Sequence, residues 1–73
     1  MNELIVLEGV VKECLPGGKF TVTVDFNGIK KDVEGYLSGK MRVHYIRLIE
    51  GDKVKVEISG YDTTRARIVY RLK

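Results

Sequence analysis

A chain of 73 residues with 44% apolar and 32% charged residues has room for one core and is too apolar to be a disordered segment. One cysteine (Cys14) and one histidine (His44) exclude an internal disulfide and offer no metal-ligand set, so the cytosol is the default compartment. The apolar run Leu4–Leu7, bounded by Glu3 and Glu8, falls far short of a signal-peptide core or of the roughly 20 residues of a membrane span.

The formal charge of +3 is unevenly spread. Met1 to Leu37 holds four basic and six acidic residues, whereas Ser38 to Lys73 holds nine basic and four acidic, with every arginine in this second part. Arginine is the better fork for phosphates and base edges, so the asymmetry favours a polyanionic partner over a general solubility charge.

In chain order, Ile5 to Leu15 is rich in branched aliphatics and reads as a first strand, with Gly9 marking the bulge or sharp bend that a small barrel needs. Pro16-Gly17-Gly18 turns the chain. Phe20 to Phe26 then alternates strictly, which predicts a half-buried strand with Phe20, Val22, Val24 and Phe26 facing a core. Asn27-Gly28 signals a type I′ hairpin, because both central positions require positive φ. Ile29 to Leu37 returns as a third strand of imperfect alternation. Gly39 to Tyr45 is the one plausible helix. Gly51-Asp52 turns into a fourth strand, where Val54, Val56 and Ile58 alternate with Lys53, Lys55 and Glu57. Gly60 to Thr64 is a polar connection to a fifth strand at Ala66–Leu72, expected to place Ile68 and Tyr70 on one face and Arg67, Val69 and Arg71 on the other.

Five short strands with a helix between the third and fourth fit an all-β, five-stranded oligonucleotide-binding (OB) barrel occupying residues 1–73 as a single domain. A small SH3-like barrel has similar periodicity. In the OB barrel, the face of strands two and three and the flanking loops form the usual oligonucleotide platform.

The segment Ser38 to Arg47 places Lys40, Arg42 and Arg47 among Met41, His44 and Tyr45, without an acidic residue. Cations neutralise phosphates, and rings or guanidinium planes stack on unpaired bases, so this mixture suits RNA; a solvated loop is the plainer account of so short a run. Tyr45 either stacks on RNA or packs into its own barrel, and Tyr36 faces the same choice. Tyr61 is assigned to a structural corner, Met41 to filling the space under the helix, Cys14 to packing, and Asp52 and Asp62 to turns. No nucleophile, no oriented base and no phosphate loop is present, so an enzyme is not expected.

Gly39-Lys40-Met41-Arg42, Tyr45-Ile46-Arg47, Gly51-Asp52-Lys53-Val54, Tyr61-Asp62 and Arg67-Ile68-Val69-Tyr70-Arg71 stand in the order and spacing of bacterial translation initiation factor one. The chain resembles that family from about Ile5 to Arg71, and departs from it at Tyr36 and Ile29, where relatives often carry histidine. The resemblance implies an S1-like OB domain that binds ribosomal RNA of the small ribosomal subunit at the aminoacyl-tRNA site. There it would keep elongator tRNA out and assist the other two initiation factors. It implies a monomer in the cytoplasm, or in an organelle, with no cofactor, membrane or small-molecule substrate. Its RNA-contacting positions correspond to Lys40, Arg42, Arg47, Arg67 and Arg71, with Arg65 where a basic residue is common and Tyr45 as a stacking candidate. A general single-strand RNA binder of the cold-shock type is the alternative. Such domains display an aromatic cluster on their central strands, whereas here Phe20 and Phe26 are in phase with the expected core.

Overall fold

The structure is a computed structural model and describes residues 4–43, 47–60 and 62–72. Five strands, β1 (Leu4–Leu15), β2 (Lys19–Phe26), β3 (Ile29–Leu37), β4 (Lys53–Ser59) and β5 (Asp62–Arg71), and one short helix, α1 (Gly39–Val43), follow in the expected order. The strands close into a barrel in the order β1-β2-β3-β5-β4, in which β3 and β5 are parallel and every other neighbouring pair is antiparallel.

Closure requires β1 to serve two neighbours. Its first half, Leu4–Val10, pairs with β4, and its second half, Gly9–Leu15, pairs with β2, with a bulge at Lys12 where the register slips between Val11 and Glu13. Gly9 is therefore flanked by Val24 on one side and Val54 on the other. A Cβ at this position would lie 2.7 Å from Val22 Cγ1 and 2.8 Å from the Thr23 carbonyl oxygen, so no side chain fits. Gly35 on β3 is constrained from the opposite flank, because a Cβ there would lie 2.9 Å from Val22 Cγ2.

The alternating residues of β2 and β4 fill the interior as their pattern predicts. Val22, Val24, Val54, Val56 and Ile58 are fully buried, with Val11, Phe20, Val33, Ala66 and Ile68 completing the core and Phe26 partly buried against it. Met41 from α1 and Leu48 close one end of the barrel. The turns obey local chemistry: Asn27 and Gly28 both have positive φ (51° and 86°), as a type I′ hairpin demands, and Gly28 N–H donates to Asp25 Oδ1 at 2.7 Å. Gly51, at φ 94°, lets the turn after Leu48 dock on β1, where Gly51 N–H donates to the Val11 carbonyl at 2.8 Å and Val11 N–H to the Asp52 carbonyl at 2.9 Å.

The fifth strand departs from its sequence pattern. Val56 pairs with Ile68 and Lys55 with Tyr70, which leaves Val69 unmatched in a bulge. A one-residue slip reverses the facing of everything beyond it. Ile68 is buried while Tyr70 is 61% exposed, so these two residues do not share a face as alternation predicts. Arg67 lies opposite Glu57 on the outer wall, but Arg71 lies opposite Val54, so the expected row of Arg67 and Arg71 along one face does not form. The strand also begins earlier than expected, at Asp62 instead of Ala66.

Gly9→Ala and Gly35→Ala are each expected to overpack the barrel around Val22 and cost about 1–3 kcal/mol. Thermal unfolding would show this as a midpoint lowered by at least about 4 °C, and an unchanged midpoint would contradict the closeness of the strands.

Candidate RNA interface

The basic segment is built from the end of β3. Ser38 N–H donates to the Ile68 carbonyl at 3.0 Å, which extends the parallel β3–β5 pairing by one step. The chain then starts α1 with Ser38 as its cap: Ser38 Oγ accepts from Met41 N–H at 3.2 Å, and the Ser38 carbonyl accepts from Arg42 N–H at 3.0 Å. With Met41 buried at the barrel end, Lys40 and Arg42 on either side of it are exposed. Met41 thus fills space under the helix, as expected.

Arg47 follows on the far side of residues 44–46. His44 and Tyr45 lie outside the described residues, as do Tyr61 and the last part of the expected 39–45 helix. Arg71 joins this group through the bulge at Val69. Its exposed guanidinium donates from Nη1 to the Arg47 carbonyl at 2.9 Å, tying the end of β5 to the basic segment. Cys14 meets the same stretch from β1, with its thiol directed at the Leu48 carbonyl at 3.6 Å.

Arg65 and Arg67 form a second group on the outer wall. Arg67 sits between Glu57 of β4 and Tyr36 of β3, and Tyr36 in turn lies opposite Lys19 of β2. Val33 and Gly35 are buried, so Tyr36 points outward by alternation, away from the core. The Glu34 carboxylate, acting as a hydrogen-bond acceptor for the phenol, pushes the Tyr36 hydroxyl above its ordinary value and keeps it neutral. The structure therefore divides the sequence candidates: Lys40, Arg42, Arg47 and Arg71 gather at the sealed end of the barrel, and Arg65 and Arg67 stand on the adjoining wall. Tyr36, which the sequence left open, belongs to the wall group.

Ion pairing separates these cations from the others. Lys12 Nζ contacts Asp32 Oδ2 at 2.8 Å, and Lys19 Nζ lies 3.6 Å from Glu34 Oε2. The hydrogen bond from Lys12, with a second from Thr23, holds the Asp32 carboxyl below its usual range, and Asp32 raises Lys12 in return. The outward face of β2 and β3 is thereby largely self-neutralised. Among the described residues, Lys40, Arg42, Arg47, Arg67 and Arg71 have no carboxylate within 4.0 Å, while Arg65 has only the long 3.9 Å contact to Asp62. Exposed pairs of this kind are weak, but they set which cations are available to an incoming phosphate. No group of acidic, histidine or cysteine side chains suited to a metal occurs among the described residues.

Asp62 holds the corner before Arg65. Its Oδ1 accepts from Thr64 Oγ1 at 2.6 Å and from Thr64 N–H at 3.2 Å, and these bonds lower its carboxyl from the ordinary value. A lowered folded-state value stabilises the fold above the unfolded carboxylate range, and the contribution is lost as pH falls through the folded value. Thr64→Val is expected to raise the Asp62 titration toward normal. Urea unfolding should show its deficit largest at neutral pH and shrinking below about pH 4, in the carboxylate range; a deficit independent of pH would place the effect elsewhere.

Residues 3–73 match the family model described as Translation initiation factor 1A / IF-1. Among solved structures, the chain is similar to the solution structure of translation initiation factor IF-1 from the Wolbachia endosymbiont strain TRS of Brugia malayi. The two share 39% sequence identity with a TM-score of 0.72, over 96% of this chain and 79% of that one. The OB assignment thus stands over the SH3-like alternative, and the family is one of translation factors and not of enzymes. The chain belongs to the translation initiation factor 1A / IF-1 family.

Proposed function

We propose that this protein acts in translation initiation by occupying the aminoacyl-tRNA site in the decoding centre of the small ribosomal subunit. It contacts ribosomal RNA there, denies the site to elongator tRNA, and assists the other two initiation factors. It works as a cytoplasmic or organellar monomer and catalyses no reaction. The observation that carries this reading is the set of cations without carboxylate partners: Lys40, Arg42, Arg47 and Arg71 at one barrel end, continued by Arg67 and the loosely held Arg65 on the wall. Structured RNA offers phosphates in a fixed spatial pattern, and a rigid barrel presenting cations on two adjoining surfaces matches it better than a flexible basic tail. Tyr45, from its place in the sequence, joins the set as a stacking residue.

The cold-shock alternative needs exposed aromatic rings on the central strands. Phe20 is buried and Phe26 packs against the core, while the outward positions of β2 and β3 carry Thr21, Thr23, Asp25, Asp32 and Glu34. That surface suits neither stacking nor phosphate, so a general single-strand binder is disfavoured.

Labelled protein should bind purified small subunits saturably at one to one, and an aminoglycoside that fills the decoding helix should displace it. With roughly five phosphates neutralised, log affinity should fall with log salt at a slope of about −3.5 to −4.5, and Arg42→Ala should reduce that slope by about one. Binding that ignores the aminoglycoside, or that is equally tight to unstructured RNA, would overturn the decoding-site reading.

A further inference from the structure

On the outer wall the β4–β5 ladder jumps. Ile58 pairs with Ala66 but Ser59 pairs with Asp62, so Thr63, Thr64 and Arg65 have no partner on β4, although Arg65 stays paired with Glu34 on β3. The slack opens a depression of about 370 Å³ lined by Leu4, Tyr36, Glu57, Ser59, Arg65 and Arg67. That volume lies at the small end of ligand clefts and suits a single nucleotide better than a strand.

Two of these residues are out of place on a surface that only attracts phosphate. Ser59 Oγ is buried and has no hydrogen-bond partner among the described residues, an arrangement that calls for an occupant able to pair with it. Glu57 is half-buried and directly opposite Arg67 in register, yet no ion pair joins the two within 4.0 Å. A carboxylate here repels RNA backbone, and becomes favourable only if it accepts hydrogen bonds from a base. Guanine alone presents two adjacent donors, N1–H and N2–H, to the two oxygens of a carboxylate. Adenine, cytosine and uracil each set an acceptor beside their donor on that edge, and it would face a carboxylate lone pair.

We propose that this depression reads one unpaired guanine of the bound RNA. Glu57 accepts from N1–H and N2–H, Ser59 supplies a further hydrogen bond to the base, the Tyr36 ring and Arg67 guanidinium offer planar faces, and Arg65 holds the phosphate. The inference rests on the RNA-binding reading above and adds base identity to it. Glu57 and Ser59 are specificity determinants, distinct from the cations that supply affinity.

The test is an NMR titration of the full chain at low salt with the pentanucleotides UUGUU and UUAUU, following the backbone amides of Ser59, Ala66 and Arg67. UUGUU should shift these amides and bind at least about tenfold more tightly than UUAUU, the discrimination of one good bidentate contact. Glu57→Gln should abolish the preference, and Ser59→Ala should weaken it. Equal binding of the two RNAs, an unchanged preference in Glu57→Gln, or absence of shifts at these amides would each overturn the proposal. Small-subunit binding measured on the same samples separates the two readings. If wild type binds subunits but shows no guanine preference, only this inference fails; if it binds neither, the broader reading fails with it.

Discussion

Val22 occupies the space of two missing side chains. Its Cγ1 crowds the place where a Cβ of residue 9 would be, and its Cγ2 the place where a Cβ of residue 35 would be, so one fully buried valine on β2 holds the backbones of β1 and β3 against it. Much of the barrel follows from this clamp. With three consecutive strands drawn tightly together, the interior is narrow enough for a single layer of valines and isoleucines to fill it at close-packed density. The opening at the α1 end is then small enough for Met41 and Leu48 to seal. That seal anchors the basic segment at both sides, because Lys40 and Arg42 flank Met41 and Arg47 precedes Leu48.

Pairing across the strands also decides where charge remains available. The barrel carries 13 basic residues, and lysines of its first half meet acidic partners on neighbouring strands, as Lys12 does with Asp32 and Lys19 with Glu34. Such surface pairs contribute little stability, but they cancel the local field. The arginines of the second half are left largely without partners, and the guanidinium of Arg71 commits one donor to the Arg47 carbonyl while keeping others free. The face that serves many OB barrels as a nucleic-acid platform is therefore the neutral one here, and the electropositive surface lies at the barrel end and on the β3–β5–β4 wall.

What the sequence discloses and what it hides divide along physical lines. Strand positions, the Asn27-Gly28 hairpin, the short helix and the inward set of β2 and β4 were legible, because period-2 alternation and turn chemistry are local properties. The bend at Gly9 was legible as a glycine inside a strand, but its cause, the close approach of Val22 across the sheet, was not. The site was legible as a set of cations and not as an arrangement. Arg67 and Arg71 stand four apart and read as one row, yet the bulge at Val69 separates them, and Val69 is a good strand residue with nothing in its chemistry to announce a bulge. Ser59 and Glu57 carried no signal at all, since a serine at a strand end and a charged residue at an outward position are ordinary.

The two irregularities of β5 give one strand two tasks. Regular pairing from Asp62 to Arg71 would set all its arginines on the outer wall in a single line, a geometry suited to one straight stretch of backbone phosphates. The jump between Ser59 and Ala66 instead hollows the wall beside Arg65, and the bulge at Val69 turns Arg71 over the barrel end to reach Arg47. Bulges loosen a ladder locally, and a barrel of this size tolerates two in one strand because the buried residues between them, Ala66 and Ile68, remain in register with Ile58 and Val56. The core thus fixes the middle of the strand, and both ends are free to be shaped by what they bind.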